Sequence, residues 1–201
     1  MRFHVLTGLA GTGKTAMLER LLAAGEQVVD LEGLAAHRGS SFGRIGITTP
    51  QPSQPEFDGL VRSALAGWDP RRPVWLEDEG PHIGSLRLPR EVAMAIANAN
   101  TVELSRPLEE RVQRLVATYG SADPRELINA TQRIRRHLGN PRTDRAISHF
   151  HAGRPDAAIR VLLEYFDHGY ALRASRTARQ ALPAGELPEV IRSPPEAGQN
   201  L

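Results

Sequence analysis

The feature that most constrains this chain is a glycine-rich segment at residues 8–15, which reads GLAGTGKT. It matches the pattern G-x-x-x-x-G-K-[ST] of a phosphate-binding loop, or P-loop. The preceding residues 2–7 are rich in β-forming side chains, and Met17, Leu18 and Leu21 follow the loop at helical spacing. The segment therefore has the strand, loop and helix context that a P-loop requires.

The loop supplies two kinds of phosphate-binding group. Glycines let successive backbone N–H groups turn inward as an anion nest, and the start of the following helix adds its positive dipole end. Lys14, the one lysine among 25 Lys and Arg residues, offers a compact charge for terminal phosphates, and the Thr15 hydroxyl can hold Mg²⁺. A glycine-rich turn without a ligand is the alternative explanation. The predicted ligand-binding residues are Gly8, Gly11, Thr12, Gly13, Lys14 and Thr15.

Short β-rich runs alternate with helical patterns in the first half of the chain. Strands are predicted over 2–7, 27–31, 73–76 and 101–104, and a long polar loop over 33–55. Because parallel strands need crossover connections, this alternation predicts a parallel sheet flanked by helices. The expected fold class is α/β, P-loop NTPase-like, with an all-helical C-terminal part.

The 201 residues are enough for one well-buried domain. Residues 1–106 are expected to form the P-loop α/β core. From residue 107 the patterns are helical only, so residues 107–182 are predicted to be a helical part packed on that core. Residues 183–201 are rich in Pro, Gly and Glu, which predicts a flexible tail.

Composition excludes several kinds of chemistry. The chain has no cysteine, so it cannot itself carry a disulfide, a thiolate metal site or a persulfide. No apolar run approaches the roughly 20 residues that span a bilayer, and Met1 leads into a short apolar segment rather than a secretion signal. A cytoplasmic protein that does not enter the membrane is expected.

Carboxylates follow two of the predicted strands. Glu77, Asp78 and Glu79 come after the run PVWL, and such residues at a strand end can hold Mg²⁺ together with the loop threonine or orient a nucleophile. We predict metal and catalytic roles for Glu77 and Asp78, with a solvated strand end as the alternative. Asp30 and Glu32 end the second strand at the sheet edge where ligands bind in α/β folds, unless they only begin a polar loop.

Further segments look like the P-loop portion of tRNA 2-selenouridine synthase. They are DLEGLAAHRGSSFG at 30–43, QPSQPEF at 51–57, VWLEDEGPHIG at 74–84, LSRPLEERVQRLVATYG at 104–120 and LLEYFDHGY at 162–170. The resemblance runs in order from about residue 4 to about residue 172. HRGSSFG is its most distinctive part.

The resemblance implies a transferase that modifies the wobble uridine of certain tRNAs. In that family 2-thiouridine is S-geranylated from geranyl diphosphate, and selenophosphate then supplies selenium in place of the geranylthio group. A diphosphate leaving group needs the same amides, lysine and Mg²⁺ as a nucleotide does. The loop itself therefore leaves open whether its ligand is geranyl diphosphate or ATP or GTP.

Residues in the resembling segments become candidates for catalysis and ligand binding. His37 and Arg38 join a titratable ring and a fixed cation in one glycine-flanked loop, which an ordinary polar loop would also explain. Arg106 and Arg111 follow the fourth predicted strand and are predicted to reach the anionic ligand, with surface cations as the alternative.

The tRNA is expected to meet hydroxyls, arginines and aromatic rings. The densest basic patch joins Arg133, Arg135 and Arg136 to His137 and Arg142, although basic helix faces are often merely solvated. Two serines and two tyrosines complete the predicted tRNA contacts, and helical tyrosines are also common in cores. These four residues are Ser40, Ser41, Tyr165 and Tyr170.

The sequence departs from the family in one respect. Typical members carry an N-terminal rhodanese-like domain with a reactive cysteine, whereas here the P-loop strand begins at residue 3. We expect a separate rhodanese-like protein to be needed for full activity; geranylation alone and a relict are the alternatives. A small-molecule kinase and a non-catalytic, nucleotide-dependent tRNA-binding module remain competing functions.

Overall fold

The structure, a computed structural model, describes residues 2–174 and 180–192. Its N-terminal half alternates strands and helices around one sheet. The elements in chain order are β1 (Phe3–Thr7), α1 (Lys14–Ala23), β2 (Gln27–Val28), α2 (Leu31–Leu34), α3 (Gln54–Ala66), β3 (Val74–Glu77), β4 (His82–Ile83), β5 (Leu86–Arg87), α4 (Arg90–Ala97) and β6 (Asn100–Glu103).

The central sheet has four parallel strands in the order β2-β3-β1-β6. Side chains alternate between its two faces, as the period of a strand requires. Val5 and Leu76 are buried on the face that packs against α3 and α4, and Leu6 and Trp75 are buried on the face that carries α1. Apolar residues at consecutive positions are thus explained by burial on both faces, as in other parallel sheets.

The C-terminal half is helical and packs over the carboxyl edge of the sheet. Its helices are α5 (Leu108–Tyr119), α6 (Pro124–Arg133), α7 (Arg135–Leu138), α8 (Asn140–His151) and α9 (Pro155–Ala174). Phe42 and Ile45, from the loop between α2 and α3, are buried in the apolar cluster of these helices. Within the described residues, no helix is both long and apolar enough to cross a membrane.

The predicted fold class is confirmed: a parallel sheet is flanked by helices and followed by helices alone. Two small elements were not predicted. The antiparallel hairpin of β4 and β5 and the single turn of α2 each have at most four residues, which is too short for a periodic pattern to show.

The prediction of a flexible tail from residue 183 differs from the structure over the part that is described. Leu182 is buried, and its backbone N–H donates to the Thr101 carbonyl at 2.9 Å, beside β6. A 3-10 turn (Ala184–Glu186) and α10 (Glu189–Arg192) follow, and Val190 and Ile191 pack against the α1 face of the sheet. Residues 193–201 lie outside the described residues.

A buried ion pair joins the helical part to the phosphate loop. Arg111 of α5 donates two hydrogen bonds to Asp167 of α9, at 2.9 and 2.7 Å, and its Nη1 also donates to the Ala10 carbonyl at 3.1 Å. Only 4% of the Arg111 side chain is exposed, so little solvent screens the pair. Two helices and one loop are therefore held at a single point.

Removing this guanidinium should destabilise the protein. We expect Arg111→Ala to lower the free energy of unfolding by about 3 kcal/mol, because Asp167 and the Ala10 carbonyl lose their donor. Arg160→Ala is the matched control: Arg160 pairs with Glu109 across the same two helices but is 39% exposed, so its loss should destabilise the protein far less. Urea unfolding of both variants measures the difference, and equal losses would contradict the assignment.

Candidate functional site

The P-loop closes between β1 and α1, at the carboxyl edge of the sheet. Gly8, Gly11 and Gly13 have φ angles of 138°, 82° and 90°, which side chains rarely adopt. There is also no room for a side chain at two of these positions. A Cβ on Gly8 would clash with the Leu104 carbonyl oxygen, and one on Gly11 would lie 2.9 Å from the Arg111 carbonyl oxygen. The glycines are thus required both by backbone conformation and by the neighbouring chain.

Internal hydrogen bonds hold the loop open toward its ligand side. The Thr12 hydroxyl donates to the Leu9 carbonyl at 2.9 Å, and Thr12 is buried. Lys14 Nζ donates to the Gly8 carbonyl at 3.0 Å, across the mouth of the loop. The ammonium group is therefore already held where an anion cradled by the loop would meet it.

The residues beside Thr15 fit a bound Mg²⁺ ion. The Thr15 hydroxyl hydrogen-bonds the Glu77 carboxylate at the end of β3. Glu77 is 3% exposed, and its buried Oε1 has no hydrogen-bond partner among the described residues. A buried carboxylate oxygen without a partner is costly, and oxygen donors are the ligands that Mg²⁺ prefers. Thr15 and Glu77 would hold the ion.

Two further glutamates converge on Glu77. Ligand oxygens of Glu32, Glu77 and Glu79 all lie within 4.8 Å of one another. Burial raises the pKa of each carboxyl group, and the negative charge of Glu77 raises the pKa of Glu32 and of Glu79 further. Asp78 also lines the cavity, but its backbone N–H donates to the Leu6 carbonyl and its carboxylate is outside this group.

His37 is buried in the loop between α2 and α3. Its ring lies between two glycines, because a Cβ on Gly43 would be 2.5 Å from His37 Nδ1 and one on Gly84 would be 2.7 Å from its Cδ2. Desolvation lowers the His37 pKa, and Arg44 and Arg133 lower it further. Nδ1 is buried without a partner among the described residues, and the residue also lines the cavity.

The neighbouring candidates Arg38, Ser40 and Ser41 form hydrogen bonds that stabilise the conformation of this loop. Arg38 Nη1 donates to the Ile45 carbonyl at 2.8 Å, the Ser40 hydroxyl accepts from the Phe42 backbone N–H at 3.1 Å, and the Ser41 carbonyl accepts from Arg133 at 2.7 Å. Arg38 and Ser40 also line the cavity with His37. Their catalytic and tRNA-binding roles stay predictions.

Arg106 and Arg111 hold the loop from outside instead of lining its cavity. Arg106 Nε donates to the Thr12 carbonyl at 2.8 Å and its Nη1 pairs with Glu110, while Arg111 is occupied by Ala10 and Asp167. Both guanidinium groups therefore meet loop carbonyls, which point away from a nested anion. That they reach the ligand stays a prediction; the contacts that the structure gives them are with the loop and with carboxylates.

One cavity of about 1060 Å³ connects the phosphate loop to the helical part. Its polar lining consists of the loop glycines, Lys14, Thr15 and the carboxylates. Its apolar lining consists of aliphatic and aromatic side chains from α5, α6, α8 and α9 together with Phe42. These residues are Phe42, Leu115, Tyr119, Leu127, Phe150, Ile159, Leu162, Leu163, Tyr165 and Phe166.

The two predicted tyrosines both line this cavity. Tyr165 contacts Phe166 edge to face, with ring centroids 5.2 Å apart. The Tyr170 hydroxyl group donates to the Glu103 carboxylate at 3.5 Å and lies beside Thr7 and Gly8, and burial raises the pKa of Tyr170. The sequence prediction of base stacking is untested, but Tyr170 is a neighbour of the phosphate loop.

The predicted basic patch is partly neutralised within the protein. Arg135 pairs with Asp144 at 2.9 Å, and Arg142 pairs with Glu164 at 3.4 Å. Arg133 donates to the Ser41 carbonyl, which ties the patch to the loop that carries His37. Arg136 is exposed and forms no ion pair with any part of the chain that the structure describes.

Sequence reasoning named Glu32 and Glu79 as strand-end carboxylates but did not predict that they cluster with Glu77, and it missed one cation. Residues two apart at a strand end point the same way, which places Glu79 with Glu77. Arg114 lines the cavity beside Gly13 and was not predicted. Its signal was the spacing of three residues from Arg111, which places both side chains on one face of α5.

The fold and the loop define a P-loop α/β protein with a helical cover over its phosphate site. Residues 1–134 match the family model described as the tRNA 2-selenouridine synthase AAA domain. The chain belongs to this tRNA 2-selenouridine synthase family.

Individual relatives agree with this assignment. A tRNA 2-selenouridine synthase from Marinobacter nauticus is 37% identical over 160 residues, covering 70% of this chain and 42% of that protein. One from Bordetella petrii is 32% identical, covering 99% of this chain and 61% of that protein. The chain thus spans about two-fifths to three-fifths of these relatives. Among solved structures, a gluconokinase from Sinorhizobium meliloti is similar at a TM-score of 0.35, with 17% identity and coverage of 81% and 97%.

The carboxylate cluster makes stability depend on pH. The pKa values of Glu79 and Glu32 are raised to about 7 and about 9, so between 4.5 and these values the folded state holds protons that the unfolded state has released. Stability must then fall as pH rises through this range, by at most about 1.4 kcal/mol per pH unit for each group.

We expect the melting temperature in EDTA to fall from pH 7 to pH 9, and Glu32→Gln to reduce this fall because glutamine carries no charge to desolvate. Adding Mg²⁺ at pH 9 should raise the melting temperature of the wild-type protein more than that of the variant. Glu91→Gln, at an exposed position in α4, is the control and should keep the wild-type slope. If the melting temperature falls equally with pH in the wild type and in Glu32→Gln, Glu32 does not have the raised pKa that is assigned to it.

Proposed function

We propose that this chain is the diphosphate-binding component of a tRNA-modifying transferase, acting in the cytoplasm on wobble 2-thiouridine. Its P-loop would bind geranyl diphosphate for S-geranylation, and the geranylthio group would then be replaced with selenium from selenophosphate. Family membership supports the tRNA substrate, since the relatives are named for 2-selenouridine synthesis.

The cavity carries the proposal. A phosphate loop with Lys14, Thr15 and Glu77 opens into the same space as an aromatic and aliphatic wall. A ligand with a diphosphate at one end and a hydrocarbon at the other matches both kinds of lining, and each methylene group buried from water contributes about 0.8 kcal/mol. ATP would bring a polar ribose to that wall, whereas an isoprenoid chain brings only apolar surface.

The volume supports a second occupant. About 1060 Å³ exceeds the space that one small ligand usually fills. His37, Arg38 and Tyr165 line the same cavity, so a nucleobase flipped out of the anticodon could stack or hydrogen-bond beside the isoprenoid. Holding both reactants in one desolvated space would supply the orientation that group transfer needs.

The transfer step follows from these positions. The thiocarbonyl sulfur of the base forms a bond to the first isoprenoid carbon, and that carbon's bond to the diphosphate oxygen breaks with its electron pair going to the diphosphate. The base then loses its N3 proton, and neutral His37, which lines the same cavity, is the proposed acceptor. Loop amides and Lys14 stabilise the charge on the departing diphosphate. Mg²⁺, when bound at Thr15 and Glu77, would share that charge.

Selenation needs chemistry that this sequence lacks. These 201 residues contain no cysteine, so a persulfide or other cysteine-dependent step would need a thiol from outside them. We propose a separate rhodanese-like protein for that step. The exposed side of the helical part, with Arg133 and Arg136, would contact tRNA phosphates, so that affinity for tRNA falls with salt.

Geranyl transfer should depend on Lys14. We expect 2-thiouridine tRNA incubated with the protein, Mg²⁺ and geranyl diphosphate to gain the mass of a geranyl group. Lys14→Ala should slow this gain on the order of a hundredfold, as removal of a donor that stabilises developing charge does. Mass spectrometry of digested tRNA gives the readout, and Arg71→Ala, at a side chain that is 88% exposed, is the control with the wild-type rate.

Two results would contradict the proposal. One is failure of the protein to bind 2-thiouridine tRNA even at low salt. The other is Lys14-dependent phosphate transfer from ATP to a metabolite, unaffected by tRNA, which would identify a small-molecule kinase instead. Ligand binding without turnover, with activity appearing only when a rhodanese-like protein is added, would reduce the role to a binding module.

A further inference from the structure

Three arginines approach the phosphate loop from the side of α5, and two of them are already occupied. Arg106 donates to the Thr12 carbonyl and pairs with Glu110. Arg111 donates to the Ala10 carbonyl and pairs with Asp167. Each has a carboxylate counterion and a carbonyl acceptor in the loop, and neither lines the cavity.

Arg114 differs in position. Its guanidinium group lies against the Cα of Gly13, because a Cβ added there would be 3.0 Å from Nη2, 3.2 Å from Cζ and 3.3 Å from Nε. Gly13 is the residue before α1, where the first backbone N–H groups of the helix lack carbonyl partners. The guanidinium group is therefore beside the positive end of the helix, at the place where a phosphate binds.

Its charge has no counterion among the residues that the structure describes. Within residues 2–174 and 180–192 the Arg114 side chain forms no hydrogen bond or ion pair, and the one bond that involves the residue is accepted by its backbone carbonyl from Thr118. The side chain is half-buried and lines the cavity beside Lys14. A partly desolvated cation next to a second cation and a helix N-terminus is unfavourable unless an anion joins them.

We propose that Arg114 binds the terminal phosphate of the diphosphate, opposite the groups of the loop itself. The planar guanidinium group can donate two parallel hydrogen bonds to phosphate oxygens, which the compact Lys14 ammonium cannot do. The loop amides hold one phosphate, and Arg114 with Lys14 holds the other. The inference rests on the proposed diphosphate site and adds the residue that distinguishes a diphosphate from a monophosphate.

The distinction predicts different effects on two simple probes. Inorganic pyrophosphate reaches both the loop and Arg114, whereas inorganic phosphate occupies the loop alone. Loss of the guanidinium group should therefore weaken pyrophosphate binding much more than phosphate binding. Methionine keeps the apolar stem of the side chain. If the guanidinium group only packs on Gly13, Arg114→Met should therefore bind both probes as the wild type does.

Calorimetric titration of the full chain in Mg²⁺ tests this. Arg114→Met is expected to weaken pyrophosphate binding at least tenfold and phosphate binding less than threefold, with an unchanged midpoint of urea unfolding. Arg114→Lys should recover only part of the loss, because it restores charge without the bidentate fork. Arg125→Met, at an exposed arginine of α6 outside the cavity, controls for net charge and should bind as wild type does.

Each outcome decides a separate point. Pyrophosphate affinity of Arg114→Met within twofold of wild type overturns the inference and leaves the proposed function standing. An Arg114-dependent affinity together with no geranyl transfer to tRNA supports the inference and overturns the proposed function. Absence of pyrophosphate binding to the wild-type protein overturns both.

Discussion

The contact between the phosphate loop and α5 is the constraint on which the rest of this structure depends. Gly11 has no side chain because the α5 backbone at Arg111 occupies the space that a Cβ would need. Arg106 and Arg111 then bind the outward carbonyls at Thr12 and Ala10. With its carbonyls satisfied outside, the loop presents its N–H groups inward, and the helical part becomes a wall of the same cavity.

That arrangement leaves an imbalance of charge which a ligand would correct. Lys14 and Arg114 line the same cavity as Glu32, Glu77 and Glu79, whose carboxylates lie close together. Burial raises the pKa of all three carboxyl groups, so without a cation part of the cluster retains protons at neutral pH. A diphosphate with Mg²⁺ supplies the anion and the cation that these two groups require.

The sequence predicted the parts of this site that follow from short-range rules. The loop GLAGTGKT, the parallel sheet and Glu77 at the end of β3 each arise from local pattern and chain order. The roles of Arg106 and Arg111 could not be predicted, because which arginine meets a carbonyl and which meets the cavity depends on the rotation of α5 against the loop. The packing of residues 180–192 was missed because Pro and Gly are typical of both mobile tails and tightly turned segments.

The cavity itself also lay beyond sequence reasoning. Phe42 belongs to a segment that has no useful periodicity, yet it is buried among α6, α8 and α9 and lines the same cavity as the phosphate loop. Aromatic residues on α9 were equally compatible with a closed core. Only their arrangement around an open space distinguishes a ligand wall from ordinary packing.

The most direct test of the account compares the affinities of geranyl diphosphate, inorganic pyrophosphate and ATP for the protein in Mg²⁺, by calorimetry at two temperatures. The account predicts that geranyl diphosphate binds at least tenfold more tightly than either of the others, with a more negative heat-capacity change from burial of its hydrocarbon chain. Geranyl diphosphate that binds no more tightly than pyrophosphate, or is displaced by lower concentrations of ATP, would contradict it.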